Sequence, residues 1–207
     1  ASLGDAVALS SGRAHTCALR RSGAVVCWGA NNQGQIGNGA GASQLKTPVQ
    51  HPASVTKLSD ASEVAAGPEH TCARKRNGKV VCWGRNDAAQ LGSGTQSNVW
   101  TTRVPVRELA NATALGVGLT HACAATGGRV ACWGDNSAGQ GAYPGASAPT
   151  PRAGVSGLDV ASLALGGDHS CARLRKGGVA CWGSNEHGQL GDGGRMTSAT
   201  PLEVKGL

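Results

Sequence analysis

Phenylalanine is absent from the 207 residues, and tyrosine and methionine occur once each, as Tyr143 and Met196. Five tryptophans therefore carry nearly all the aromatic mass. Charge is sparse at 15% of residues, and a chain this weakly charged is not kept disordered by self-repulsion. No apolar run approaches the ~18–20 residues of a membrane span, so no membrane-spanning helix is expected. No basic segment followed by an apolar stretch opens the chain, so no signal peptide is read there. A trimmed mature chain and a cytosolic one both fit that start. Catalytic signatures are missing as well. There is no G-x-x-x-x-G-K-[ST] phosphate loop, no H-E-x-x-H and no G-x-S-x-G. The twelve acidic residues are scattered, with no sustained carboxylate pattern for calcium. A non-enzymatic protein without a cofactor is the expectation.

Glycine is abundant, 33 of 207 residues, roughly twice the average of ~7%. Glycine and proline together reach about 20%, short of the ~25–30% of low-complexity chains. The eight cysteines are even in number and regularly spaced, which points to an oxidising compartment. A secreted, periplasmic or cell-surface location is expected. The net charge of +7 implies a mild attraction to anionic surfaces.

The chain is a repeat array. Four segments align, marked by His15, His70, His121 and His169, spaced 55, 51 and 48 residues, and by Trp28, Trp83, Trp133 and Trp182, spaced 55, 50 and 49. Repeats of approximately 1–55, 56–109, 110–157 and 158–207 follow. A period of ~20–50 residues means a solenoid, a propeller or another array. Each unit reads as strands. AVALS, EVAAG, ALGVG and LALGG precede the histidines, VVCWG or VACWG ends at each tryptophan, and TPVQ, RVPVREL, TPRAGV and TPLEV follow. No stretch has a helical period with caps. The fold class is all-β, a propeller or half-propeller of about four antiparallel strands per blade.

Cysteine spacing sets a hairpin register. The pairs 17/27, 72/82, 123/132 and 171/181 have gaps of 10, 10, 9 and 10. Pairing Cys17 with Cys27 leaves the loop Arg21-Ser22-Gly23, with glycine third, as a type I turn with a G1 bulge requires. Arg76-Asn77-Gly78 and Arg175-Lys176-Gly177 repeat it, and the shorter third unit leaves Gly127-Gly128, a two-residue primed turn. Each cysteine pair then lies three pairs beyond closure, on a non-hydrogen-bonded site with Cα atoms ~4.5 Å apart, within disulfide reach. Four disulfides within blades are expected, Cys17–Cys27, Cys72–Cys82, Cys123–Cys132 and Cys171–Cys181. The competing reading is zinc held by His15, Cys17 and Cys27 and their equivalents. It lacks a C-x-x-C spacing and a fourth ligand.

The units resemble the repeat of the regulator of chromosome condensation family. The resemblance lies in G-x-x-H-[TAS]-C-A, V-x-C-W-G-x-N-x-x-[GA]-Q, Leu/Ile-Gly-x-Gly and Thr-Pro-x-x-V. In the second unit these include Gly67, His70, Cys72, Val80, Trp83, Gly84, Asn86, Gln90, Leu91 and Gly92. It covers nearly the whole chain and implies a propeller of four-stranded blades, usually seven of them. Paired cysteines in every blade look like bacterial, exported members. Relatives include a nucleotide-exchange factor for a small GTPase and a secreted propeller that inhibits β-lactamases. The repeat is therefore a scaffold, and function does not follow from it; the expectation is a module that binds a protein partner or self-assembles, with exchange activity or enzyme inhibition as alternatives. No inserted segment matches the GTPase-contacting wedge of the exchange factor.

Residues that recur in every unit read as structural, because each repeat must build its own blade. The marker histidines are expected to bond backbone within their blades, and the tryptophans to pack blade cores. Asn31, Asn86, Asn136 and Asn185, with Gln35, Gln90, Gln140 and Gln189, are expected to satisfy tight turns. Residues outside the repeat pattern are the binding candidates, Trp100 and Tyr143 first, with His51 and His187 also off-pattern. Edge cover is the plainer reading of Trp100. Hairpin tips carry Arg20 and Arg21, then Arg74, Lys75 and Arg76, then Arg173, Arg175 and Lys176, with Arg129 alone in the third unit. The functional reading is docking of an acidic partner, and the plainer one is solubility and edge protection. Aromatic interleaving is absent at these tips, so nucleic acid is not the expected partner. Finally, no Thr-Pro-x-x-V strand precedes the first unit, whereas TPLEV ends the last. This suggests one blade completed from both ends, in one chain or between two, as a ring or a filament.

Overall fold

The computed structural model describes residues 3–97 and 99–206. Sixteen strands form four antiparallel sheets, each built from four strands consecutive in the chain. Blade 1 comprises β1 (Ala6–Ser11), β2 (His15–Arg20), β3 (Val25–Gly29) and β4 (Val49–Ser54). Blade 2 comprises β5 (Ala61–Ala66), β6 (His70–Lys75), β7 (Val80–Arg85) and β8 (Val99–Pro105). Blade 3 comprises β9 (Ala114–Val117), β10 (His121–Thr126), β11 (Arg129–Asp135) and β12 (Ser147–Ser156). Blade 4 comprises β13 (Val160–Leu165), β14 (His169–Leu174), β15 (Val179–Gly183) and β16 (Ser198–Glu203). One 3-10 turn, Ala42–Gln44, lies in the long loop of blade 1.

The second and third strands of each blade form the hairpin expected from cysteine spacing. Cys17 faces Cys27, Cys72 faces Cys82, Cys123 faces Cys132 and Cys171 faces Cys181. Their Cα atoms are 4.0–4.1 Å apart, nearer the narrow ladder pair than the wide one of ~5.5 Å. All eight cysteines form disulfides within blades, which removes the zinc reading. The turns follow their glycines. Gly23 has φ +94° and its amide donates to the Arg20 carbonyl, closing a three-residue loop. Gly127 and Gly128 have φ +53° and +79°, the left-handed pair that a two-residue I′ turn demands.

Apolar cores lie between blades and not within them, which corrects the expectation for the tryptophans. One cluster joins Leu19, Val25, Ile36, Val55 and Leu58 of blade 1 to Val64, Val81 and Trp83 of blade 2. Equivalent clusters join blade 2 to blade 3 through Trp133, and blade 3 to blade 4 through Trp182. A sheet has two faces, so each blade must bury its flank against the next. The strand containing TPLE pairs with β15 of its own blade, so every blade is completed by its own strands and none is shared between the two ends. Blades 1 and 4 share no hydrogen bond and no apolar cluster among the described residues.

Each disulfide closes a loop of about ten residues, worth roughly 3 kcal/mol in the chain-entropy picture. Thiol titration of the unreduced, denatured protein should find no free thiol, and eight after reduction. Replacing Cys72 and Cys82 together by Ala should lower the unfolding free energy in urea by about 3 kcal/mol. Retained stability would mean that the hairpin is held by its ladder alone.

Candidate partner-binding surface

The loop after each marker tryptophan is a built anchor. The Asn31 side-chain carbonyl accepts the Ile36 amide at 3.2 Å, and the Gln35 side-chain carbonyl accepts the Gln33 amide at 2.8 Å. Asn86 and Gln90, Asn136 and Gln140, and Asn185 and Gln189 repeat both bonds. These bonds hold the loop while the glutamine backbone carbonyl stays free to accept from the following blade. Trp83 Nε1 donates to the Gln35 carbonyl at 2.8 Å, Trp133 to Gln90 at 2.9 Å and Trp182 to Gln140 at 2.8 Å.

The histidines join the same seam. His15 Nε2 is 2.8 Å from Thr71 Oγ1, and that hydroxyl donates to the Gln35 carbonyl. His121 Nε2 is 3.0 Å from Ser170 Oγ, which donates to the Gln140 carbonyl. Each partner belongs to the next blade, not to the histidine's own backbone as expected from the sequence. At the equivalent place in blade 3 stands Ala122, so Nε2 of the buried His70 lacks the hydroxyl that His15 and His121 have, and Nδ1 is without a partner in all three rings. The glycine three residues before the histidine has a steric cause. A Cβ on Gly12 would strike the His15 ring and the Gly67 carbonyl of the next blade. Burial pushes His15 and His121 down to about 4 and His70 to about 3. Neutral, separated and enclosed, these rings are joint pieces rather than a catalytic centre. Among the described residues no cluster of His, Cys, Asp and Glu is arranged to hold a metal ion.

Tyr143 is interior, which corrects its reading as a surface contact. Only 5% of it is exposed, and its hydroxyl donates to the Gly134 carbonyl at 3.0 Å. Its ring lies where a Cβ on Gly141 would point. Gly141 occupies the place of Ile36, Leu91 and Leu190, so the tyrosine fills the volume that the third unit lost. Burial drives its phenol up to about 12. Trp100 sits on β8 opposite Gly84, half-buried against the cluster between blades 2 and 3. Its carbonyl abuts Gly34 of blade 1. Edge cover describes it.

The tips of the β2–β3 hairpins and their equivalents share one side of the array. Arg74 Nε donates to Glu63 at 2.7 Å, and Lys75 pairs with Asp60 at 2.9 Å. Arg76 donates to the carbonyl of Ser22 in the preceding blade at 3.1 Å. These three residues therefore fasten the tips and linkers and are not free cations. Arg20 and Arg175 are likewise paired, with Asp5 and Asp159. Arg21, Arg76, Lys79, Arg129, Arg173 and Lys176 are exposed at the tips and stand in no ion pair among the described residues. Arg76 is held by the Ser22 carbonyl and Arg173 Nε donates to Ser162 Oγ at 3.3 Å, which leaves one cation per blade, Arg21, Lys79, Arg129 and Lys176, with no side-chain hydrogen bond either. Lys79, next to the turn glycine Gly78, is not among the tip cations read from the sequence. On the opposite side, the four G-x-x-H turns surround a hollow of about 220 Å³, walled largely by backbone and small residues, with Arg13 and Leu119 at its rim.

The regulator of chromosome condensation (RCC1) repeat model matches residues 6–35, 61–90 and 160–189, and a second model of the same repeat matches 22–74. The chain belongs to this family. Residues 110–157, the third repeat, lie outside the matched segments, yet they form the same four-stranded blade. The mouse secretion-regulating guanine nucleotide exchange factor is 33% identical over 49% of this chain and 24% of its own length. Human regulator of chromosome condensation is 30% identical over 54% of this chain and 26% of its own. The human E3 ubiquitin-protein ligase HERC2 is 36% identical over 45% of this chain, but only 2% of its own. Among solved structures, yeast RCC1 (Prp20) bound to Kap60 superposes with a TM-score of 0.83 at 24% identity, over 97% of this chain and 48% of that one. Human WBSCR16 gives 0.83 at 22% identity, over 97% and 52%. The chain thus spans about half of those structures and about a quarter or less of the curated relatives. No described helix is long and apolar enough to cross a membrane.

Two outcomes follow from the seam. Ala122→Ser supplies the hydroxyl that His70 lacks and should raise stability by about 1 kcal/mol, whereas Ser170→Ala should cost about 1–3 kcal/mol; urea midpoints of both variants decide this. The second concerns pH. The buried histidines bind protons more weakly folded than unfolded, so the unfolded chain gains protons first as pH falls. Their stabilisation is complete above the ordinary value of 6.5 and is lost as pH drops towards about 4. The loss should be roughly 3 kcal/mol per histidine. Unfolding curves at stepped pH should steepen in this window, and His121→Asn should flatten them.

Proposed function

We propose that the chain is a non-enzymatic protein-docking scaffold, exported from the cell, whose hairpin-tip side receives an acidic protein surface. The observation that carries the reading is the one tip cation per blade whose side chain has neither an ion pair nor a hydrogen bond among the described residues, Arg21, Lys79, Arg129 and Lys176. Of the neighbouring cations, Arg74, Lys75, Arg20 and Arg175 are tied to Glu63, Asp60, Asp5 and Asp159, and Arg76 and Arg173 to the Ser22 carbonyl and the Ser162 hydroxyl. Spaced positive charges on fixed turns speed encounter with an anionic surface and set its register. Four disulfides support export, because the cytosol keeps thiols reduced. They weigh against the second reading, nucleotide exchange on a small GTPase, which rests on the name of one relative.

Polyglutamate serves as the probe. Its binding to the intact chain, followed by titration calorimetry, should weaken as salt rises. Replacing all four cations by Glu should abolish the binding and leave the melting temperature within a few degrees, since these side chains hold nothing. Undiminished binding would return the tip charges to a role in solubility.

A further inference from the structure

The Trp-to-Gln bond is made at all three seams within the chain and the histidine–hydroxyl link at two of them, and the two halves of this joint are also present, unjoined, on the outer flanks. Blade 4 offers the acceptor half. Among the described residues the backbone carbonyl of Gln189 receives no hydrogen bond, and the His169 ring has no partner. Val179 and Val204 are half-exposed there, whereas Val25, Val80 and Val130 are 0–1% exposed and Val55, Val106 and Val155 3–6%.

Blade 1 offers the donor half. Trp28 is half-exposed, while Trp83, Trp133 and Trp182 are all fully buried. Its indole N–H makes no hydrogen bond among the described residues, and the Thr16 hydroxyl meets only Ser11. Leu9 is 68% exposed, against 8% for Val64 and 3% for Leu115 at the same place in blades 2 and 3.

We propose that the open flank of blade 4 docks the open flank of blade 1 of a second copy of this chain. Trp28 would donate to the Gln189 carbonyl, His169 would meet Thr16, and Leu9 would pack on the apolar side chains around Val204. The two flanks match by descent from the repeat. Each reproduces a surface that already meets its counterpart at three internal seams, with donors on one side and the acceptor on the other. The contact is heterologous, so it either closes a ring or continues into a chain of copies. It involves neither the tip cations nor their partner, and stands or falls apart from the docking proposal.

Leu9→Glu blocks the first flank and Val204→Glu the second. The unaltered chain should sediment as dimers or longer assemblies at micromolar concentration. Each variant alone should be a monomer that melts cooperatively. Mixed in equal amounts, the two should pair one to one and grow no further, because each keeps the flank that the other has lost. A milder variant, Trp28→Phe, keeps the ring and removes the donor, and should weaken association about fivefold. An unaltered chain that stays monomeric would overturn the proposal, leaving the flanks to further blades or to another protein. Disruption by only one of the Glu variants, without rescue on mixing, would overturn it in favour of pairing through one flank. Unchanged association of Trp28→Phe would overturn the assigned joint.

Discussion

An indole N–H donated to a glutamine backbone carbonyl, once per seam, is the bond around which the blades are arranged. It ties the end of one blade's third strand to the loop of the blade before it. Both groups are buried, and an unpaired polar group there would cost roughly 1–3 kcal/mol. The bond therefore fixes how closely and at what angle two sheets can meet. The Asn and Gln side chains exist to present that carbonyl. The threonine or serine hydroxyl adds a second donor to it at two of the three seams, and the histidine completes the chain of bonds. The apolar clusters then close on a spacing already decided by polar groups.

Within a blade the cause is different. The hairpin is set by its turn glycine and stapled by a disulfide at a narrow ladder pair, so it is defined over about ten residues without help from neighbours. Small cores between thin sheets bury modest apolar area, and a cross-link in every blade offsets that weakness by restricting the unfolded chain. Linkers are drawn in by the same turns. The Ala61 and Ala112 amides donate to the Gly23 and Gly78 carbonyls, so the tip side is stiff. A stiff side with one free cation per blade is suited to reading a charged surface rather than to chemistry.

The third blade tests how far the pattern can bend. It lacks the hairpin's third turn residue, the seam hydroxyl and the loop leucine. The first loss is taken up by a shorter turn, and the third by the ring of Tyr143 folding over Gly141. The second is left open at His70. Two compensations out of three preserve the blade although the family models do not match it.

Blade number, strand order, hairpin register and disulfide pairing were all legible in the sequence, because each is decided by residues within one repeat. Gaps of nine or ten between cysteines and a glycine at one turn position leave a single register. The partners of the seam were not legible. His15 bonds Thr71 and Trp83 bonds Gln35, some 50 residues away, and no local spacing says which of a blade's two neighbours supplies the partner. For the same reason Tyr143 looked like a surface aromatic until Gly141 gave it a cavity. Arg74, Lys75 and Arg76 looked free until Glu63, Asp60 and the neighbouring tip took them. Local geometry follows from adjacent residues, whereas burial and charge pairing depend on which surfaces packing brings together.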